Sequence, residues 1–232
     1  MVTELIDLLS KEDSLVKPLL QTFTFARRIG NEELAGWALN ELNGYQNTNN
    51  HYDDKNLPSY RFVRHNMVGV MRQNGRLTKE TSLPLSCFGD ILEEKLSRRI
   101  FDESIATLEG MVKNSDNQYI IKVLPADFCS GLTQQAKANR HSFEVISCRE
   151  IVGIPEVAGI IIAIKTKLLD LLLAIERQYP SIDIMSPNFN TKSQLNTTVN
   201  YYMGQIYNIS SSGIGSLVNT GNDNNNTINN DH

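Results

Sequence analysis

The stretch Ala26-Arg27-Arg28-Ile29-Gly30-Asn31-Glu32-Glu33-Leu34, continued by Trp37, by Glu41-Leu42-Asn43-Gly44-Tyr45 and, past a polar interval, by Leu57-Pro58-Ser59-Tyr60-Arg61, decides how this chain is organised. Gly30 stands just beyond the apolar run Leu15–Ile29, at the position after a helix end, where glycine takes the left-handed conformation without a Cβ clash. Asn31 then caps a new helix, on which Leu34, Trp37, Ala38, Leu39 and Leu42 recur at helical spacing before Asn43-Gly44 ends it. Upstream, Val2, Leu5, Ile6, Leu8 and Leu9 share one helical face, and Ser14 is the expected cap of the helix over Leu15–Ile29. The start of the chain therefore predicts a small helical bundle.

Downstream the pattern changes. Residues 46–56 are polar and aperiodic, as in an exposed loop. Residues 60–72 are rich in β-branched and aromatic types, and Asn74-Gly75 is a tight-turn signal, after which Leu77–Leu85 returns antiparallel. Leu92, Leu96, Ile100, Ile105, Leu108 and Met111 predict one or two helices over 89–113, residues 119–124 a strand, and Ser142–Cys148 a strand or a helix entry. Past Pro155, Val157, Ile161, Ile164, Leu168, Leu171 and Ile175 form a heptad-like seam, and Ile160, Leu169, Leu172 and Leu173 widen it. Such a helix is either sandwiched in the core or shared with another subunit; the core is the simpler reading. After Tyr179-Pro180, the residues from Asn188 to His232 contain twelve asparagines. Short strands over 201–209 and 213–218 are the expected structure there, ahead of a flexible low-complexity end.

The opening motifs resemble the AbiTii domain of bacterial abortive-infection proteins. The likeness rests on a helix ending Arg27-Arg28-Ile29-Gly30, a second carrying Trp37 and ending Glu41-Leu42-Asn43-Gly44-Tyr45, and the element Leu57-Pro58-Ser59-Tyr60-Arg61 entering a strand. Glu4-Leu5-Ile6 and Leu172-Leu173-Ala174-Ile175-Glu176 extend it over most of residues 1–180. The resemblance implies a phage-resistance setting and carries over no reaction chemistry. It puts Trp37, Glu41, Asn43, Gly44, Tyr45, Pro58, Tyr60 and Arg61 in motif positions, which favours a structural network in which Arg61 pairs with Glu41 or a neighbouring carboxylate.

Composition narrows the function classes. At 232 residues with 41% hydrophobic content the chain can bury a real core, and a net charge of −4 gives no bulk drive toward phosphate. Cys87, Cys129 and Cys148 are odd in number and widely spaced, which argues against a disulfide framework and fits a reduced cytoplasm. Acidic residues near the start and the interruption of Val157–Ile164 by Lys165 and Lys167 argue against export and membrane spanning. His51, Asp53 and Asp54 cluster in a loop without a second ligand group, so neither metal nor other cofactor is expected. His65 and His141 have no nucleophile and orienting carboxylate beside them, Cys129 and Cys148 sit among apolar residues as inert thiols, and Gly213-Ile214-Gly215-Ser216 reads as a turn.

What remains chemically is the basic hairpin. Arg61, Arg64, Arg72 and Arg76, with Tyr60 and Phe62, suit a nucleotide or nucleic-acid contact. The expectation is an α+β, mainly helical fold: an N-terminal helical bundle, a small antiparallel sheet and a long C-terminal core helix over residues 1–180. Residues 181–232 form an Asn-rich tail, disordered or oligomerising by strand pairing through Ile206, Ile209, Ile214, Leu217 and Val218. The function expected is a non-enzymatic one in antiphage defence, as a sensor, scaffold or oligomerising module with a possible partner protein from the same operon. An enzyme or binder acting on nucleotides or nucleic acid is the alternative.

Overall fold

Helical periodicity governs the first 45 residues and the segment after Pro155, and β-propensity much of what lies between, and the computed structural model, which describes residues 2–45, 57–114, 118–180 and 189–207, follows that division. The first helices are α1 (Val2–Lys11), α2 (Val16–Ile29) and α3 (Glu32–Asn43). Gly30 adopts φ 74° and its N–H returns to the Ala26 and Arg27 carbonyls. The Asn31 side chain accepts from the Leu34 amide at 2.8 Å, closing the turn between α2 and α3 as the sequence predicts. The Ser14 hydroxyl accepts from the Val16 amide at 3.3 Å, a cap weaker than expected. The Glu109 carboxylate reaches across to accept from the Leu15 amide (2.6 Å) and from the Ser14 hydroxyl (2.7 Å), so a distant carboxylate finishes the start of α2.

The middle holds β1 (Phe62–Arg64), β2 (Asn66–Gln73), β3 (Arg76–Leu77), β4 (Thr81–Ser82), α4 (Asp90–Leu96), β5 (Arg98–Ile100), α5 (Ile105–Lys113), β6 (Tyr119–Val123), α6 (Ala126–Ala138) and β7 (Phe143–Gly153). Residues 60–72 are not one strand. The chain breaks at His65, so β1 pairs antiparallel with β5 in a two-stranded sheet while β2 enters a five-stranded one. In the latter the order is β3-β2-β7-β6, with β4 beside the first part of β2. Asn74 (φ 51°) and Gly75 (φ 76°) make the expected tight turn. At Gly69 a Cβ would lie 2.3 Å from the Ser147 carbonyl oxygen, so only glycine lets β2 approach β7 there. One residue further the register shifts, with Val70 opposite Ser147 and Met71 opposite Val145.

The last described elements are α7 (Ile154–Gln178) and α8 (Phe189–Ile206). Of the α7 seam, Val157, Ile164, Leu168, Leu171 and Ile175 are enclosed, with Ile160 and Leu172 of the wider row, against α1, α5 and α8, whereas Ile161 and Leu169 are half-buried and Leu173 is exposed. That is the core reading. The short strands expected from residue 201 are corrected to helix. Leu195, Val199, Met203 and Ile206 recur every three or four residues and enter the same core, where packing overrides the poor helix propensity of the Asn and Thr around them. Ile206 thus packs into the core of its own chain, and the packed helices continue past residue 180. Ile209, Ile214, Leu217 and Val218 lie outside the described residues, as do Gly213-Ile214-Gly215-Ser216 and the acidic loop with His51, Asp53 and Asp54.

A second, smaller core lies between the five-stranded sheet and α6. Met67, Leu83, Phe88, Leu96, Cys129, Leu132, Ala136, Phe143, Val145 and Cys148 fill it. The fold is α+β and mainly helical. No helix among the described residues is long and apolar enough to cross a membrane.

Candidate functional site

The motif residues converge where α3 ends. Glu41 and Arg61 are both completely enclosed, and their side chains form an ion pair through Arg61 Nη2 and Glu41 Oε2. The other carboxylate oxygen, Oε1, accepts from the Tyr45 hydroxyl at 2.6 Å and from the Tyr60 hydroxyl at 2.8 Å. Tyr60 in turn accepts from Trp37 Nε1 at 2.8 Å. Arg61 Nη1 donates to the carbonyls of Phe101 (3.0 Å) and Glu103 (2.8 Å), and the guanidinium stacks 4.9 Å from the centre of the Tyr45 ring. Both oxygens of the buried carboxylate and both terminal nitrogens of the buried guanidinium are therefore occupied, which offsets much of the cost of burying the pair, while Arg61 Nε is left buried without a partner.

Backbone geometry delivers these groups. Gly44 sits at φ 89°, where a Cβ would be 2.7 Å from the Asp102 carbonyl oxygen, and that same oxygen accepts from the Tyr45 amide at 2.8 Å. Pro58 opens a 3-10 turn over Ser59–Arg61, its carbonyl accepting from the Arg61 amide, while the Arg61 carbonyl accepts from the Phe101 amide. The network thus joins the end of α3, the entry to β1 and the segment leading into α5. Asn43 is the motif residue left exposed.

Electrostatics follows from the enclosure. Burial disfavours the charged guanidinium, but Glu41 beside it outweighs that and lifts the pKa of Arg61 above its ordinary value. Burial, reinforced by the Glu41 carboxylate, pushes Tyr45 and Tyr60 well above the ordinary phenol range. Tyr207, at the end of α8, is pushed up to about 12 by burial and then by Glu41 and Glu33. Two neutral phenols thus donate to one carboxylate that a fixed cation balances. This chemistry holds a junction.

The arginines of the hairpin do not assemble into one surface. Arg61 is enclosed and Arg64 exposed on β1, whereas Arg72 pairs across strands with Glu144 at 3.1 Å and Arg76 lies exposed beyond the Asn74-Gly75 turn. The six steps from Asn66 to Arg72 alone span roughly 20 Å of extended chain. Arg64 instead lines an open cleft of about 800 Å³ with His65, Asn66, Tyr119, Ile151 and Glu156, at the start of α7. His65 is half-buried between the two sheets, and neither ring nitrogen has a hydrogen-bond partner. Burial lowers its pKa, against the pull of Glu150 and with the push of Arg99. His141 is exposed. Among the described residues no three His, Cys, Asp or Glu side chains come together as a metal site.

Sequence reasoning identifies the members of the network but misses Phe101 and Glu103, which act through backbone carbonyls that leave no side-chain signature. It also misses the ladder in which Asn31 Nδ2 donates to Asn196 and to Asn200, both at 2.8 Å, and Asn196 donates to the Ile29 carbonyl at 3.2 Å. Asparagines that read as tail composition fasten α8 to the α2–α3 turn.

Compared with known proteins, residues 1–200 match the family model AbiTii, which takes in the whole network and most of α8. No curated protein and no solved structure matches the chain.

Proposed function

Because the chain belongs to the AbiTii family, which sets it in abortive infection as a form of bacterial antiviral defence, we propose that it is a non-enzymatic component of such a system, a scaffold that holds a partner protein of the defence operon. The observation that carries this reading is the internal use of the motif: apart from Arg61 Nε, the polar groups of Trp37, Glu41, Tyr45, Tyr60 and Arg61 are bonded to one another and to the backbone. Residues spent on each other in a sealed interior support architecture in preference to chemistry on a substrate. On this reading the chain works in the cytoplasm and self-associates through residues beyond 207.

One observation favours a second reading, a binder of nucleotides or nucleic acid. The cleft beside Arg64 offers a cation, the Asn66 amide and the half-exposed Tyr119 ring for stacking. The test is phage challenge of cells carrying the native operon, with the gene intact, deleted, or bearing Arg64→Ala. The scaffold reading expects protection to vanish on deletion, to persist in Arg64→Ala, and the chain to be recovered from infected cells in an assembly heavier than itself. Loss of protection in a fully folded Arg64→Ala protein, with loss of nucleotide binding, would replace it by the second reading.

A further inference from the structure

Two cysteines that the sequence separates and assigns to inert burial meet in the second core. Cys129 lies in the first turn of α6 and Cys148 in the middle of β7, 19 positions apart, and their sulfurs are 3.2 Å from each other with one thiol donating to the other. Both are free thiols, exposed by only 3% and 2%. A disulfide has a sulfur–sulfur length of about 2.05 Å, so closing the pair needs an approach of roughly 1.2 Å, within what one side-chain torsion supplies. Cys87, the third thiol, is half-buried at the margin of the same core.

Access, more than proximity, limits this pair. Helix α6 is held on one side only: Cys129, Leu132 and Ala136 are buried, Phe128 is half-buried against the same core and the Thr133 hydroxyl accepts from the Val145 amide at 2.9 Å, while Asp127, Ser130, Gly131, Gln134, Gln135 and Lys137 are exposed. A helix that packs through one face, with the opposite face open to solvent, is the kind of element that opens locally at a cost below global unfolding. Opening would carry Cys129 outward and uncover Cys148 on the sheet behind it.

We propose that Cys129 and Cys148 are a reversible redox site, closing into a disulfide that staples α6 to β7 when a peroxide reaches the opened pair. In the open state the Cys129 thiolate attacks one peroxide oxygen. The O–O bond breaks, the leaving oxygen departs as hydroxide and takes a proton to become water, and the sulfur is oxidised to a sulfenic acid. As α6 returns, the Cys148 thiol, still in contact with water, gives up its proton and its sulfur attacks that sulfenyl sulfur; the S–S bond forms, the S–O bond breaks, and the leaving hydroxide takes up a proton as the second water. Two thiols and one hydrogen peroxide give one disulfide and two waters. In the closed state Cys148 stays protonated, because burial, then the neighbouring Cys129, pushes its thiol up to about 12. The site is thereby quiet until the helix moves.

The full reduced chain treated with hydrogen peroxide, then denatured, alkylated and weighed, gives the test. Alkylated thiols should fall from three to one, peptide mapping should join Cys129 to Cys148 within one chain, and a reductant should restore all three. The oxidised form should melt roughly 5–10 °C higher, since closing a loop of this length constrains the unfolded chain. Cys87→Ser should leave the new linkage intact, whereas Cys129→Ser should abolish it. Three alkylatable thiols after a dose that exhausts free cysteine, a linkage through Cys87 or between chains, or oxidation that stops at sulfinic acid would each overturn the proposal. The mass measurement needs no variant, so it decides for or against the disulfide even where a Cys129→Ser protein fails to fold.

Discussion

Replacing Arg61 by alanine removes the cation from a fully enclosed ion pair and leaves the Glu41 carboxylate facing two tyrosine hydroxyls with no compensating charge. It also strips the Phe101 and Glu103 carbonyls of their donor and opens a cavity the size of the guanidinium and its stem. Breaking a buried pair by removing one partner costs about 3–5 kcal/mol, a large part of the roughly 5–15 kcal/mol that stabilises a typical domain. With a urea m-value of about 3 kcal/mol/M, the unfolding midpoint should fall by roughly 1.3 M. Arg61→Lys keeps the charge but not the planar fork that serves Glu41 and two carbonyls together, so it should fall between. The paired change Glu41→Leu with Arg61→Met removes both charges and should recover much of the loss. Urea unfolding followed by circular dichroism measures all three. An Arg61→Ala protein within about 0.5 kcal/mol of the parent at unchanged m would refute the reasoning, because surface-like tolerance does not fit a sealed cation.

Leu168→Ala and Leu171→Ala should each destabilise by roughly 2–5 kcal/mol, both side chains being fully enclosed in the monomer; a variant that kept its unfolding midpoint but changed its mass in light scattering would instead put α7 at a subunit interface. A chain ending at Pro180 loses Leu195, Val199, Met203 and Ile206 from the core, on the order of 6–12 kcal/mol of transfer free energy before the ordering entropy of α8 is subtracted. It should bind a hydrophobic dye and lose its cooperative transition, whereas a chain ending at Tyr207 should stay dye-free and cooperative; equal melting of the two truncations would contradict the packing of α8. Stability should also fall as pH rises from 10.0 to about 12, because the unfolded chain releases the Tyr207 proton near 10.0 while the folded one retains it. Tyr45 and Tyr60 act in the same direction, so a Tyr45→Phe/Tyr60→Phe protein should lose less over that window in urea titrations. At the other end, His65 stays neutral in the fold when the unfolded chain protonates, so stability should drop as pH falls below 6.5, and His65→Gln should flatten that slope.

What is legible in the sequence is whatever local chemistry dictates. Gly30, Asn31 and the Asn74-Gly75 turn fix backbone conformations within a few residues, and the α7 seam repeats often enough to declare its period. The helical nature of α8 is hidden because its apolar stripe is one residue wide and its polar residues, Asn and Thr, favour other conformations in isolation. Only contact with α2, α3 and α7 selects the helix. The division at His65 is hidden as well, since strand propensity does not say which partner a strand will find. The motif positions announce the Glu41–Arg61 junction, yet its depth, with neither side chain reaching solvent, depends on Phe101, Asp102 and Glu103 arriving from a distant segment. The Cys129–Cys148 contact belongs to the same class: two side chains brought together by α6 lying on β7.

The most direct measurement is protection against phage across the Glu41–Arg61 series, read beside the folded fraction of each variant in the same cells at a low and a high growth temperature. A structural junction predicts that protection follows folded protein alone: Arg61→Lys should protect at the low temperature where it is folded and fail at the high one where it is not, with the Glu41→Leu/Arg61→Met protein tracking its own stability. A variant of this network that stays as folded as the parent at both temperatures yet gives no protection would contradict the account, since the enclosed residues would then be serving chemistry or a ligand in place of architecture.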